Sequence, residues 1–414
     1  MLRRALSENK VSFGLDEALL EALPEKMDRY FHLYKAAQGT AAVNGTDGAI
    51  EDQFSRSFEH TLTVDEYDRV DYTSLNIVQN CEKGDVICRI IAPTKGVPGR
   101  TVLNQEIPAR DGRAMAPPKG RNTEINEDGT ALVATLSGHV EYTSRSFQVK
   151  PVLDIPGNVD YSTGNINFLG DVHIHGDICS GFTVRAVGSI YVDGAVEAGT
   201  TVEAGGDLMV TKGVVGNNQS VVRAHRSIFA KYLESTHVYA HENLQTDCMV
   251  NCEVYCDGSV QVRSGRGIII GGRTRAAHEV SANVVGAKSE CLTSIYLGGL
   301  PCEEFERELV QQELEELEAQ LEAVERKPNS PNKQSRLSQL RMKLSVSQMK
   351  LDQIDKSLEK LMAEREDGKN DLRRLTFGLA YPGTEITIGD CVRRLEQESR
   401  QSTASLLSGE ICLI

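Results

Sequence analysis

Five copies of one short motif decide the fold of this chain: VRAVG at 184–188, VEAGG at 202–206, VRAHR at 222–226, VYAHE at 238–242 and VYCDG at 254–258. The first valine of the motif recurs at steps of 18, 20, 16 and 16 residues. A second apolar set recurs with the same four steps, at Ile190, Leu208, Ile228, Leu244 and Val260. Two sets with the same irregular spacing indicate one repeating unit of about 18 residues.

Within each copy, apolar or small residues alternate with other residues, which is typical of a short β-strand with one buried face. Units of this kind stack as the coils of a parallel β-helix, with equivalent residues about 4.8 Å apart. We therefore expect the five motif valines to form one internal ladder. A second ladder should hold only small side chains, at Ala186, Ala204, Ala224, Ala240 and Cys256. Glycine two residues further on, at Gly188, Gly206 and Gly258, is expected to provide a bend.

Composition limits the class of protein. The chain has 414 residues, enough for two or three domains, with 40% hydrophobic and 25% charged residues, as in soluble folded proteins. A formal net charge of −14 argues against general binding to nucleic-acid backbones. No apolar run approaches the ~20 residues of a membrane span, and no signal core follows the N-terminus, so a cytoplasmic location is expected. The ten cysteines lack a disulfide-type spacing and are expected to be free thiols.

The predicted fold is mainly β with a helical hairpin, in four segments. Residues 1–150 have short apolar runs between turn residues, which predicts a β-rich or α+β N-terminal domain, with Asp16 capping a short helix. Residues 151–300 form the β-helix, and 301–375 form an antiparallel coiled-coil hairpin inserted before the last strands. Residues 376–414 should return to the β-helix. There, Arg393–Ser405 predicts a short helix or a loop, and Gly409–Ile414 a final strand.

The hairpin is predicted from apolar residues at alternating steps of three and four. They are Val310, Leu314, Leu317, Leu321 and Val324 in the first helix, and Leu337, Leu340, Leu344, Ser347, Leu351, Ile354, Leu358 and Leu361 in the second. Between them, Lys327–Asn332 contains two prolines and is expected to be a loop. One interpretation is a self-contained hairpin. The other is an arm that contacts a partner or a second copy through Leu314, Leu317, Leu321, Leu344, Leu351 and Leu358.

Several polar residues are candidates for binding, each with a plainer alternative that the sequence favours. His173 and His175 should face outward and could bind a metal, although a solvated face is favoured. His225 and His241 should stack at a corner of adjacent coils, where they could form a pH-sensitive or weak metal site. Cys248, Cys252 and Cys256 are expected to be buried core thiols. Four nearby arginines could contact an anion or a partner: Arg263, Arg266, Arg273 and Arg275.

No motif of a known catalytic centre is present, whether Ser-His-Asp order, H-E-x-x-H, G-x-S-x-G or a dinucleotide-binding element. The residues therefore predict no catalytic group, cofactor or metal. A non-enzymatic scaffold that binds proteins is the favoured function. One alternative is a β-helix enzyme of the acyltransferase or polysaccharide-lyase type, which a groove holding His225 or His241 beside a carboxylate would favour. Another is a module that binds nucleic acid or another anion.

The chain resembles the bacterial flagellar assembly protein A family over nearly its whole length. The resemblance lies in APTKGVPGRTV at 92–102, DIPGNVD at 154–160, STGNINFLG at 162–170 and YPG at 381–383, among other stretches. It implies a β-rich N-terminal domain, a right-handed β-helix body and a helical hairpin near the C-terminus. It also implies action through self-association and protein partners in flagellar assembly or positioning, without catalytic residues.

Overall fold

A computed structural model describes residues 2–27, 30, 32–56, 63–64, 70–71, 78–326, 331–366, 373–407 and 409–414. The chain divides into two compact units, one of residues 1–58 with 79–150 and one of residues 59–78 with 151–414. Among the described residues, no helix combines the length and the apolar character needed to cross a membrane.

The first unit begins with helices α1 (Leu2–Glu8) and α2 (Glu17–Ala22), followed by a 3-10 turn at Leu23–Glu25. The predicted cap is confirmed, because the Asp16 side chain accepts a hydrogen bond from the Leu19 N–H at 2.9 Å. Helix α1 was not predicted. The strands of this unit are β1 (Ala49–Asp52), β4 (Asn80–Cys81), β5 (Val86–Ile91), β6 (Gly99–Arg100), β7 (Glu106–Ile107), β8 (Thr123–Ile125), β9 (Ala131–Ala134), β10 (Gly138–Thr143) and β11 (Ser146–Lys150). The short strands β2 (Thr63–Val64) and β3 (Val70–Asp71) belong to the second unit.

Two antiparallel sheets form the core of this unit, in the orders β1-β5-β9-β8 and β11-β10-β4. Their buried apolar side chains make one cluster, which includes Ile87, Leu132, Val140 and Phe147. The predicted β-rich character of this segment is therefore confirmed.

The second unit is a parallel β-solenoid. Its strands are β12 (Val152–Ile155), β13 (Ile166–Phe168), β14 (Asp171–Ile174), β15 (Thr183–Ala186), β16 (Ile190–Val192), β17 (Ala195–Val196), β18 (Thr201–Ala204), β19 (Leu208–Val210), β20 (Gly213–Val215), β21 (Val221–Ala224), β22 (Ile228–Glu234), β23 (His237–Ala240), β24 (Leu244–Cys256), β25 (Val260–Val262), β26 (Ile268–Ala276), β27 (Glu279–Val285), β28 (Thr293–Leu297), β29 (Arg374–Ala380), β30 (Thr384–Ile388), β31 (Cys391–Arg394), β32 (Ser399–Leu407) and β33 (Glu410–Leu413).

Both predicted ladders are confirmed residue by residue. Val202 pairs in register with Val184 on one side and with Val222 on the other, and the ladder continues through Val238 to Val254. The small residues from Ala186 to Cys256 pair in the same four steps. All of these side chains are buried, so each coil covers the apolar edge of the next.

Six successive coils also share a third column of buried apolar side chains, which was not predicted from the sequence. It comprises Val196, Val214, Leu233, Met249, Ile269 and Val285, which pair in this order on successive coils. Because a strand bends into this column after Thr246, Met249 faces the core and Cys248 is only half-buried. The expectation of an inward Cys248 was therefore wrong, whereas Cys252 and Cys256 are buried.

The corner glycines lie at bends, as predicted, but glycine is needed there for a different reason. Gly188, Gly206 and Gly258 are not among the residues with positive φ, so none of them needs a left-handed conformation. A Cβ at Gly258 would instead overlap the carbonyl oxygen of Glu242 on the preceding coil. Glycine is required there because successive coils approach too closely to admit a side chain.

Helices α3 (Pro301–Glu325) and α4 (Pro331–Glu366) are inserted between β28 and β29. The chain then returns to the stack, since β29 pairs with β27 and β30 with β28, both in parallel. The predicted fold class is thus confirmed, while the hand of the solenoid and a true coiled coil stay predictions. The expectation for Arg393–Ser405 was wrong, because much of it lies in β31 and β32, which add antiparallel strands to the last coil.

The two helices run antiparallel. Arg307 near the start of α3 pairs with Asp355 at 2.6 Å, and Glu325 at its end pairs with Arg341 at 3.1 Å. At ~1.5 Å per residue, the 25 residues of α3 and the 36 of α4 are about 37 and 54 Å long. Pro331 is the first residue of α4, a position where proline loses no helical hydrogen bond. The predicted loop was therefore wrong at Pro331 and Asn332, which belong to α4, and its other residues, 327–330, lie outside the described part of the chain.

Candidate functional site at the root of the helical hairpin

Helix α3 begins where two glycines turn the chain away from the solenoid. Gly298 and Gly299 have φ values of 132° and 66°, which other residues reach only with strain. Pro301 starts the helix, and the Glu304 side chain accepts a hydrogen bond from the Leu300 N–H at 3.0 Å. Leu300 is only 2% exposed, so the helix begins in contact with the solenoid rather than in solvent.

An aromatic contact holds the first turn of α3 against the solenoid. Tyr239 and Tyr255 pair in register on adjacent coils and stack with ring centroids 5.1 Å apart. Phe305 of α3 packs on both rings, at 4.9 and 4.8 Å. The guanidinium groups of Arg223 and Arg275 lie over the two tyrosines, at 4.9 and 5.0 Å from their ring centroids. Each aromatic pair of this kind contributes about 0.5–1.5 kcal/mol beyond the burial of its surface.

Cys302 adds a hydrogen-bonded contact below these rings. Its backbone N–H donates to Oδ1 of Asp257 at 2.8 Å, and its thiol donates to the carbonyl oxygens of Tyr255 and Ala240 at 3.2 and 3.4 Å. Cys302 is 1% exposed, and burial strongly raises the pKa of its thiol. The group therefore stays protonated and serves as a hydrogen-bond donor rather than as a nucleophile.

His241 supplies the charge at this junction. Its Nδ1 lies 3.1 Å from Oδ2 of Asp257 and 3.9 Å from Glu303, and its Nε2 lies 3.7 Å from Glu306. Burial by itself would lower the pKa of His241, but the hydrogen bond to Asp257 and the nearby Glu306 carboxylate outweigh it and raise the pKa to about 9. His241 is therefore an imidazolium at neutral pH, held between the solenoid and the acidic first turns of α3.

The two acidic residues of α3 respond in opposite directions. Burial raises the pKa of Glu303, whereas the neighbouring His241 lowers the pKa of Glu306. At 3.7 Å the Nε2 of His241 is too far from Glu306 for a hydrogen bond, and it has no hydrogen-bond partner among the described residues. The attraction between these two groups is therefore electrostatic rather than a hydrogen bond.

We call Asp257, His241, Tyr239 and Tyr255 of the solenoid, with Cys302, Phe305 and Glu306 of α3, the hairpin root. The predicted stacking of His225 and His241 is confirmed, with ring centroids 5.1 Å apart. The other members of the hairpin root were not predicted from the sequence. One signal was available, because Tyr239 and Tyr255 occupy the same position in consecutive motifs and face outward.

A groove of about 520 Å³ lies beside the hairpin root. It is lined in part by Arg185, Glu203, Arg223, His225 and Glu306. Most of its charges are already paired, since Glu203 lies 2.7 Å from Arg185 and 4.0 Å from Arg223. The groove nevertheless places a histidine and a carboxylate together, which is the arrangement that the enzyme hypothesis requires.

The four arginines do not form one patch. Arg273 and Arg275 alternate on the outer face of β26, while Arg263 and Arg266 lie exposed in the connection before that strand. Arg273 is 4.0 Å from Glu253, and Arg275 lies over the Tyr255 ring. These neighbours satisfy the two arginines of β26, which does not favour a phosphate-binding surface there.

The six candidate leucines lie along the strip between α3 and α4. Leu314 and Leu317 are buried, and Leu321, Leu344, Leu351 and Leu358 are half-buried, amid mostly exposed neighbours. The ion pairs at the two ends of the hairpin set a register that brings Leu314 near Leu351 and Leu321 near Leu344. The four half-buried leucines keep part of their surface accessible, so contact of this set with a partner stays a prediction.

Comparison with protein-family models matches residues 151–411 to the β-solenoid domain of flagellar assembly protein A, and residues 1–145 to the N-terminal region of flagellar assembly protein A. No curated protein and no solved structure matches the chain. The two models together cover nearly the whole sequence, in agreement with the resemblance of its motifs.

Proposed function

Because the chain belongs to the flagellar assembly protein A family, we propose that it is a non-enzymatic scaffold in the assembly or positioning of the bacterial flagellum. It acts through contacts with other proteins and with copies of itself. The observation that carries the proposal is the hairpin root, where Phe305, Cys302 and Glu306 fasten a long pair of helices to the solenoid. A fixed arm of this length supports a role in holding partners at a defined distance.

Exposed apolar residues on the outward face of α4 support the proposal that this face binds another protein. Met342, Val346 and Met349 are 72%, 46% and 64% exposed, although each is apolar. Their spacing of four and three residues places them on one side of the helix, opposite the strip that faces α3. We call these three residues the outer stripe. Apolar residues clustered on an exposed face are typical of protein-binding surfaces.

Charge complementarity supports a second copy of the chain as one occupant of the outer stripe. Helix α3 contains ten glutamates and one arginine, whereas residues 331–350 of α4 contain five lysines and arginines and no acidic residue. The α3 helix of one copy can therefore attract the α4 helix of another, with the outer stripe at the centre of the contact. Self-association of this kind weakens as salt rises.

Multi-angle light scattering across a range of protein concentrations tests self-association. The wild-type chain should form a dimer that dissociates at high salt, and Met342→Glu with Met349→Glu should make it monomeric. Ser345→Glu with Gln348→Glu adds the same charge on the side of the same helix and should leave the dimer intact. A wild-type chain that stays monomeric at the highest soluble concentration would contradict self-association.

Protein partners are tested by affinity capture from a lysate of flagellated cells. The bait is the full chain, and its comparison is a chain in which a short Gly-Ser linker replaces residues 302–372 and leaves β29 in place. The scaffold proposal expects partners that the full chain retains and the shortened chain loses. Equal capture by two folded baits would count against a role for the hairpin.

A β-helix enzyme of the acyltransferase type is a second candidate, favoured by the groove that holds His225 beside Glu306. His241 is poorly suited as a general base, since a pKa of about 9 keeps it protonated at neutral pH. His225 is then the group to test. Under the scaffold proposal His225→Ala leaves flagellation unchanged, whereas loss of flagella with an intact fold and intact partner capture would favour the enzyme.

A further inference from the structure

A second polar cluster lies on the first coils of the solenoid. Asp154 in β12 pairs in register with His173 in β14, and β14 pairs in turn with β16. His175 follows β14, and Asp193 follows β16. Three successive coils thus bring two imidazoles and two carboxylates to one face, on strands whose spacing is fixed by backbone hydrogen bonds.

The four side chains are in close contact. Oδ1 of Asp154 is 2.8 Å from Nε2 of His175 and 3.9 Å from Nδ1 of His173. Oδ2 of Asp193 is 3.0 Å from Nδ1 of His175 and 3.2 Å from Nε2 of His173. The two imidazole centroids are 4.1 Å apart. Each ring therefore has one nitrogen near Asp154 and the other near Asp193.

This arrangement is typical of a metal site: one nitrogen of each ring could bind the metal, while the other donates a hydrogen bond to a carboxylate. Zinc bonds to nitrogen and oxygen of about 2.0–2.1 Å place tetrahedral ligand atoms about 3.3 Å from one another. Oδ1 of Asp154 is 2.8 Å from Nε2 of His175 and 3.9 Å from Nδ1 of His173, on either side of that value, and one ligand atom from each of the three residues lies within 4.8 Å of the others. The nitrogens left over face Asp193, and metal-bound histidines commonly donate their other N–H to a carboxylate.

We propose that Asp154, His173 and His175 bind a divalent transition-metal ion such as Zn²⁺, and that Asp193 orients both imidazoles by accepting their second N–H groups. The ligand set of two imidazoles and one carboxylate suits zinc, cobalt and nickel ions. The side chains are 36–65% exposed, so the remaining coordination position is open to water or to a donor from a bound molecule. The ion would tie together the first two coils through its direct ligands.

The hairpin root also groups possible ligands, namely His241, Asp257 and Cys302. It is a poorer site, since the Cys302 thiol donates to two carbonyl oxygens and burial keeps it protonated. Its Asp257 oxygens are already bonded to Cys302 and His241. A thiolate ligand to Co²⁺ produces a strong near-ultraviolet absorption band that imidazole and carboxylate ligands do not, so a spectrum distinguishes the two sites.

The test titrates Co²⁺ and then Zn²⁺ into the untagged, metal-stripped full chain, followed by visible and near-ultraviolet absorption and by calorimetry. One Co²⁺ should bind, without a thiolate band, and Zn²⁺ should displace it. Asp154→Asn and His175→Ala should each weaken Zn²⁺ binding about 100-fold, while Asp193→Asn should weaken it about 10-fold or more through the lost orientation. His237→Ala removes an outward histidine on a distant coil and should change nothing.

Circular dichroism of each variant shows whether the solenoid stays folded. The Co²⁺ absorption spectrum of the wild-type chain tests the site without any substitution. The proposal is overturned if the wild-type chain binds Zn²⁺ no more tightly than millimolar. It is equally overturned if a thiolate band appears, or if Asp154→Asn and His175→Ala bind as the wild type does. In those cases the cluster is a network of surface ion pairs alone.

Discussion

The backbone N–H of Cys302 donates a hydrogen bond to Oδ1 of Asp257, 2.8 Å away, and so joins the first turn of helix α3 to a corner of the solenoid. Asp257 is itself only 8% exposed and also contacts the imidazolium of His241. The junction therefore combines a hydrogen bond, a buried ion pair and the aromatic contact of Phe305. Because these contacts share residues, loss of one should weaken the others.

Phe305→Ala should loosen the hairpin at its root. The change removes a ring that packs on Tyr239 and Tyr255, and we expect the local opening of α3 to become easier by about 1–3 kcal/mol. Hydrogen exchange of the first turns of α3 measures this directly. Leu309→Ala is the matched control, since Leu309 is 43% exposed on the same helix and should change exchange little. Equal exchange in both variants would show that the aromatic contact does not hold the hairpin.

The stability of the junction should fall as pH rises above neutrality. A folded-state pKa near 9 for His241, against about 6.5 in the unfolded chain, gives a contribution that is complete below pH 6.5 and is lost as pH rises toward 9. Between pH 6.5 and 8.5 the loss is about 2 kcal/mol. The groups that face the imidazole are Asp257, Glu303, Glu306 and His225, and Arg223 acts on Glu306.

Hydrogen exchange of the α3 amides across this pH range, corrected for intrinsic exchange rates, measures whether the stability of the junction falls as pH rises. His241→Gln should remove this pH dependence. His237→Gln is the control and should keep it. The window stops at pH 8.5 because buried thiols such as Cys256 also cost stability above that pH. A wild-type slope of the opposite sign would mean that His241 is neutral in the folded chain.

Gly258→Ala should destabilise the solenoid by about 3 kcal/mol or more, because the new methyl group would overlap the carbonyl oxygen of Glu242. Gly157→Ala is the matched control, since a Cβ at that position meets no atom within 4 Å. Thermal unfolding of the two variants gives the comparison. Similar melting temperatures would show that the coils can separate enough to admit a side chain.

The repeat made the solenoid predictable because equivalent side chains had to lie above one another, as Val202 and Val222 do. The third column was missed because its members, such as Leu233 and Met249, follow corners whose lengths differ between coils. The hairpin root was missed for another reason. Cys302 and Asp257 are 45 residues apart and share no repeat position, so only the three-dimensional path of the chain brings them together.

The same distinction applies to the surface histidines. The alternation around Ile174 predicted that His173 and His175 face outward, and both are partly exposed. It could not indicate their carboxylate neighbours, because Asp154 and Asp193 lie on other coils and their registers depend on corner lengths. Pairing of coils, rather than local pattern, creates both candidate sites.

Flagellar number per cell tests the central claim, that the hairpin acts through protein contacts at its outer stripe. The strain should carry as its sole copy the chain with Met342→Glu and Met349→Glu, compared at equal protein level with Ser345→Glu and Gln348→Glu. We expect the first variant to lose most flagella or to misplace them, and the second to match the wild type. Normal flagella in normal positions with the first variant would contradict the central claim.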